Sequence, residues 1–223
     1  TALAEWCKNK GLQDHLTTSA FVELPLSAEE YNAKLSKSTK QNLRTALNRM
    51  KKDGYVYELF VHKNIDDDEF INDLSIIHTE RARIKNRVHD QDWIHYYSKM
   101  LHSNYVELQN KTYDIIKNSM KRMKNSVIVV VKMNNETVGY LYGLRDDRAI
   151  RIMQNCFKLQ FAFYSPLFRG AYDFILSLIK NPQKRISQVD FTRGEEPYKI
   201  KLGGGICPLH HFVFKSSECK NES

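Results

Sequence analysis

At 223 residues the chain is long enough for one large α/β domain or two small ones, and 42% hydrophobic residues suffice for a packed core and exclude wholesale disorder. A formal net charge of +8 favours anionic partners, whether nucleic acid, acidic lipid, phosphorylated cofactors or acidic glycans, without choosing among them. No apolar run approaches the ~18 residues of a membrane helix, so no membrane span is expected.

In chain order, TALAEWCKNKGL shows no signal-peptide pattern and lacks a first Met, so it reads as the start of a trimmed chain. AFVELPLS alternates apolar and polar residues up to Pro25, a short strand. Ser27 followed by Glu30 fits a capping box. Between Lys34 and Lys52 stand seven Lys or Arg and no acid. Leu43, Leu47 and Met50 make the apolar stripe of a helix there, with Lys37, Lys40, Arg44, Asn48 and Lys51 on another face, and Asp53-Gly54 ends it. YVYELFVHK is a strand, and IDDDEFINDLSIIHTERARIK a helix with its acids at the positive end of the dipole. Helical patterns follow around Trp93–Leu101 and Tyr105–Lys124, the second turning Tyr113, Ile116, Met120 and Met123 inward.

The period then changes to two. SVIVVVKM, TVGYLYGL and RAIRIMQNCF are strands joined by short turn signals, which imply antiparallel hairpins. Leu167, Phe168, Ala171, Ile175, Leu178 and Ile179 define a helix that Asn181-Pro182 ends. ISQVDF is a further strand, HHFVFK closes the set, and the last residues fray. The expected fold is α/β, with helices on both faces of a mixed, largely antiparallel sheet. Residues 1–26 read as an N-terminal extension or the remnant of a preceding lobe, 27–215 as the main domain and 216–223 as a tail.

The four cysteines, Cys7, Cys156, Cys207 and Cys219, form no CxxC and no paired spacing to His. They read as reduced thiols of a cytoplasmic protein. His210 and His211 are adjacent in an expected strand and so face opposite ways, and His89 and His95 lack the helical i, i+4 spacing. No metal is expected.

Two places can carry chemistry. In YSPLFRGA, Ser165 is a favoured N-cap and Pro166 suits the first helical position. The amides of Leu167, Phe168, Arg169 and Gly170 then make an anion seat suited to a pyrophosphate, with Arg169 adding charge and Gly170 permitting close approach. A well-capped structural helix has the same pattern. In VDFTRGEEPYKIKLGGG, Asp190, Arg193, Glu195, Glu196, Tyr198, Lys199 and Lys201 crowd together before three glycines. Glu195 or Asp190 can accept a proton from an attacking group and Tyr198 can protonate a leaving thiolate. Lys199 or Lys201 can stabilise an oxyanion or bind an anionic acceptor. A solvated, salt-bridged loop is the alternative.

The element order resembles the GNAT acyltransferase fold. LSKSTKQNLRTALNRMKKDG, YSPLFRGA and VDFTRGEEPYKIKLGG resemble motifs of its CelD/BcsL-like branch, related to the Fem peptidyltransferases. The last carries that branch's Asp-Phe-x-x-Gly-x-x-x-Tyr-Lys signature, with Gly194, Tyr198 and Lys199 in place. The similarity runs from about Phe21 to Phe214. Leu167 stands where the branch often has Gly, and its members are commonly longer, with two GNAT-like lobes.

The resemblance implies an acyltransferase that uses acetyl-coenzyme A or another acyl-coenzyme A as co-substrate. The thioester would lie where the central strands splay, with its pyrophosphate on the amides of Leu167–Gly170. A small-molecule or glycan acceptor, such as a sugar or cell-envelope precursor, would attack it directly through an amine or hydroxyl. By similarity, Tyr198 and Lys199 line the reactive end, to which the residue reading adds Glu195 as proton acceptor. Arg193 holds the acceptor or the loop, Lys201 can bind an anionic acceptor, and His78 and Arg81, one helical turn apart, either face the acceptor cleft or serve a structural role. Two other readings stay open. One is a Fem-like aminoacyl transferase fed by charged tRNA. The other is a non-catalytic basic module that binds nucleic acid through residues 34–52, or an acidic glycan.

Overall fold

The computed structural model of the chain describes residues 2–12, 14, 16–63, 65, 67–88, 105–181, 186–210 and 212, and the backbone alone at 82–88 and 105–112. The elements are α1 (Ala2–Asn9), β1 (Thr17–Glu23), α2 (Ala28–Lys34), α3 (Lys37–Lys52), β2 (Tyr57–His62), α4 (Asp68–Val88) and α5 (Tyr105–Arg122). They continue as β3 (Ser126–Met133), β4 (Glu136–Arg145), β5 (Ala149–Phe157), a 3-10 turn (Leu159–Tyr164), α6 (Pro166–Ile179), β6 (Gln188–Arg193), α7 (Pro197–Lys201) and β7 (Gly205–Leu209).

The strands form one seven-stranded sheet in the order β2-β3-β4-β5-β6-β1-β7. Neighbours are antiparallel except β5 and β6, which run parallel across the α6 crossover. The apolar run of β3 follows from burial on two faces. Val127, Val129, Val131 and Met133 join the core under α3 and α6, while Ile128 and Val130 join a second core under α4 and α5. Asn134 and Asn135, with φ of 51° and 65°, make the two-residue turn into β4.

Most elements fall where the periodicity predicts them, with instructive differences. Residues 34–52 are not one helix: Leu35 is extended, and Ser36 restarts the chain by accepting the Thr39 amide at 3.0 Å. The capping box before it is real, Ser27 accepting the Glu30 amide at 3.1 Å while Glu30 reaches back to the Leu26 amide at 3.2 Å. Met123 lies beyond the end of α5 and is 38% exposed, unlike Tyr113, Ile116 and Met120. The short strand read in AFVELPLS begins earlier, at Thr17, and lies inside the sheet, bonded to β6 and β7. The closing strand falls on GICPL, ahead of HHFVFK. His210 lies past its end with Nδ1 2.8 Å from Asp14, and Phe212 makes an isolated bridge to Asp14. The pattern around Trp93–Leu101, the remainder of HHFVFK and residues 216–223 lie outside the described residues.

Candidate active site

The site begins where β5 and β6 part. Their ladder pairs Ala149, Ile150 and Arg151 with Gln188, Val189 and Asp190, and Thr192 Oγ1 donates to the Ile152 carbonyl at 2.8 Å. From there β5 runs on to Phe157 paired with β4, whereas β6 ends at Arg193. A bulge at Met153 falls just past the ladder, because Tyr142 pairs with Gln154 and Gly143 with Ile152. Bulges of this type bend a strand away from its neighbour.

At the end of β6 the backbone is tightly specified. Asp190 Oδ1 accepts from Ser19 Oγ at 2.9 Å and from the Thr192 amide at 2.7 Å, and Thr192 takes a left-handed φ of 54°. This carboxylate is engaged in shaping the turn. Gly194 follows at φ 99°, and the Lys199 ammonium closes the loop. Its Nζ donates to the carbonyls of Arg193 at 2.7 Å and Gly194 at 3.4 Å, and pairs with Glu196 at 2.7 Å. The side chain is 2% exposed. Lys199 is therefore a buried clasp.

The glycine run is structural too. Gly203, at φ 85°, ends α7 with its amide bonded to the Ile200 carbonyl at 2.9 Å. A Cβ on Gly204 would stand 2.7 Å from the Lys199 carbonyl oxygen, and one on Gly205 3.1 Å from the Phe21 ring.

The other half of the site is the start of α6. Ser165 leaves the 3-10 turn in the left-handed region (φ 50°, ψ 49°), and its hydroxyl caps nothing, contrary to the N-cap expectation. Pro166 has no amide proton, and the Arg169 amide already donates to the Ser165 carbonyl at 3.1 Å. The amides of Leu167 and Phe168 are left without an i−4 partner within the helix. The Arg169 guanidinium is turned along the helix onto Asp173, with two bonds of 2.7 Å, and Tyr57 donates to the same carboxylate at 2.8 Å. The Leu167 side chain is in the core.

Gly170 serves packing against the sheet: a Cβ there would lie 2.5 Å from Val131 Cγ2. Gly170→Ala is expected to destabilise the fold by about 1–2 kcal/mol in urea titration. Overpacking against a stiff, fully buried valine costs about 1–3 kcal/mol, against at most about 1 kcal/mol of gained helix propensity.

These parts meet in an open cleft of about 500 Å³ lined by Asn42, Thr45 and Arg49 of α3, Ser165 and Phe168, and Tyr198 and Lys201. Arg49 donates to the Phe163 carbonyl at 3.0 Å and lies 4.2 Å over the Phe163 ring. Tyr198 packs edge-on against Phe191, with ring centroids 5.9 Å apart. Its phenol oxygen is buried and has no hydrogen-bond partner among the described residues. Burial, and secondarily the nearby Glu196 charge, pushes this phenol far above its ordinary pKa.

Of the residues singled out by sequence, the fold gathers Ser165, Phe168, Tyr198 and Lys201 on one cleft. Glu195 is exposed on the loop that Lys199 pins, and the half-buried Arg193 gives its carbonyl to that lysine. His78 and Arg81 are elsewhere. His78 is buried in the α4–α5 layer, 4.7 Å from the Tyr113 ring, with Nδ1 3.1 Å from Gln154 Nε2. Arg81 lies 5.5 Å over the Phe157 ring. Asn42, Thr45 and Arg49 were not named as site residues by sequence, although the basic character of their helix was the available signal. Among the described residues no group of His, Cys, Asp or Glu could hold a metal ion, and no helix is long and apolar enough to cross a membrane.

The acetyltransferase (GNAT) domain family matches residues 37–200. No curated protein matches the chain. Three solved structures are similar in fold. L-PGS from Bacillus licheniformis has a TM-score of 0.54 at 12% identity, over 98% of this chain and 67% of that one. The C-terminal domain (DUF2156) of a candidate lysylphosphatidylglycerol synthetase from Agrobacterium fabrum has 0.52 at 14%, over 97% and 66%. A conserved protein of unknown function from Bacteroides thetaiotaomicron has 0.50 at 10%, over 90% and 62%. The chain thus spans less than two thirds of the last two proteins, and at these identities the likeness is one of fold alone.

Proposed function

Because the chain belongs to the acetyltransferase (GNAT) domain family, we propose that it moves an acyl group from acyl-coenzyme A directly to an amine or hydroxyl, in the manner of the CelD/BcsL-like branch. The observation that carries this reading is the single cleft joining the start of α6 to the ring of Tyr198. Its volume lies within the ~300–1,000 Å³ usual for small-molecule sites.

The residues present fit such a co-substrate, though by a smaller set than the motif alone implies. The amides of Leu167 and Phe168 would receive a diphosphate oxygen, aided by the positive end of the α6 dipole. Arg49 and Lys201 on the cleft wall, in place of Arg169, would supply positive charge. Bound acyl-coenzyme A supplies an acyl carbon activated as a thioester. Tyr198, whose phenol has no hydrogen-bond partner among the described residues, is the proton donor to the departing sulfur. Glu195 accepts the proton of the attacking amine or hydroxyl, and Arg193 and Lys201 hold anionic groups of a small-molecule or glycan acceptor. Lys199 is a positioning residue in this scheme. His78 and Arg81, which do not line the cleft, keep structural roles.

A second reading draws on the wall formed by α3, whose lysines and arginines would suit a charged-tRNA donor. Calorimetric titration with acetyl-coenzyme A, a longer acyl-coenzyme A and a tRNA, each at low and moderate salt, separates the two. Saturable binding of the thioesters at moderate salt is the expected result. Binding of RNA alone, lost steeply as salt rises, would replace the first reading with the second.

A further inference from the structure

The far half of α6 roofs a second pocket, of about 110 Å³, remote from the donor cleft at the other end of β5. Phe174 and Leu178 form its helical side and Val127 and Ile150 its sheet side, all four buried. Lys63, Lys124 and Arg145 stand around it, and among the described residues no Asp or Glu lines it. The rim is locked in place. Asn125 Nδ2 donates to the Arg145 carbonyl at 2.9 Å, the Arg145 amide returns a 2.9 Å bond to Asn125, and the Ser126 amide bonds the Met123 carbonyl at 3.0 Å.

We propose that this pocket binds a short aliphatic carboxylate, its tail between Phe174, Leu178, Val127 and Ile150 and its charge among Lys63, Lys124 and Arg145. A cavity near 150 Å³ lined by apolar side chains holds benzene, so this smaller one takes a group of about four or five carbon atoms. The C-terminal end of α6 brings roughly half a negative charge nearby, which the exposed Lys63 and Lys124 by themselves outweigh. The polarity of the collar selects an anion over a cation or a neutral amphiphile. The chain length is set by the apolar volume.

The probe is isovalerate, with acetate and neutral isovaleramide as controls, titrated into the whole chain at low salt while methyl signals of Val127 and Leu178 are followed by NMR. Isovalerate is expected to shift those methyls and to bind up to roughly 50-fold more tightly than acetate, as three buried carbons imply. Isovaleramide should bind at least tenfold more weakly. The K63Q/K124Q double variant, altered only at exposed positions and checked for an unchanged melting temperature, should lose affinity by a similar factor. Equal binding of isovalerate and isovaleramide, full affinity in the double variant, or no methyl shift at all overturns the proposal. Tyr198→Phe should bind isovalerate as the unaltered chain does, so failure here and failure of the acyltransferase reading are separate results.

Discussion

Tyr198→Phe is expected to lower turnover with an identified acyl-coenzyme A and acceptor by about 10²–10⁴-fold, the usual contribution of a positioned proton donor. The same change should stabilise the fold. The Tyr198 oxygen is buried without a partner among the described residues, and a buried unsatisfied polar group costs about 1–3 kcal/mol. Deleting it while keeping the ring against Phe191 should therefore raise the unfolding free energy by about 1 kcal/mol in denaturant titration. The gain in stability follows from the buried hydroxyl whatever its role, so the loss of turnover is what separates a proton donor from a packing tyrosine. The loss should fall on kcat more than on KM, since the proton is needed only as sulfur departs. Unchanged turnover in a folded Tyr198→Phe protein would remove the phenol from the mechanism.

How much of this was legible in the sequence depends on how local the cause is. The β3 run, the amphipathic α5 and α6 and the hairpin at Asn134-Asn135 are set by neighbours within a few residues, and each lies close to where periodicity predicts it. The meeting of Ser165, Phe168, Tyr198 and Lys201 was legible as topology, because consecutive strands joined through a helix bring their ends together. The roles were less so. A Ser-Pro pair predicts a cap, but the 3-10 turn before it delivers Ser165 in a left-handed conformation from which its hydroxyl caps nothing. An Arg in the first turn of α6 looks available for phosphate until its i+4 neighbour, Asp173, is seen to take it. His78 is buried against the Tyr113 ring and Arg81 lies over the Phe157 ring, and neither lines the cleft. Which face of a sheet a helix covers is a long-range outcome that no local pattern encodes.

Lys199 is the sharpest instance, and its substitution has the largest expected structural effect. Nothing in PYKIK marks a lysine whose ammonium is enclosed. The enclosure exists because Gly194, at φ 99°, folds the Arg193 and Gly194 carbonyls back over it. Lys199→Met keeps the aliphatic volume and removes the donor. The Arg193 carbonyl then loses its charge-assisted bond, at a cost of about 1–3 kcal/mol for a buried acceptor left unmade. Breaking a fully buried ion pair costs about 3–5 kcal/mol, but the Glu196 side chain is 51% exposed and can be rehydrated, so that figure is an upper bound. A net loss of about 2–3 kcal/mol is expected, equivalent to about 4–12 °C in Tm for a chain of this size. Glu196→Gln alone should cost less than about 1 kcal/mol, as for a half-exposed partner. The double variant should cost less than the sum of the two, because the groups share one contact. Since Tyr198 precedes Lys199 directly, a loosened loop should also lower kcat while leaving thioester affinity within about threefold, the diphosphate seat on α6 being untouched. A Lys199→Met protein of unchanged stability that has lost its affinity for acyl-coenzyme A would instead put the ammonium in contact with the co-substrate, and the clasp described here would be wrong.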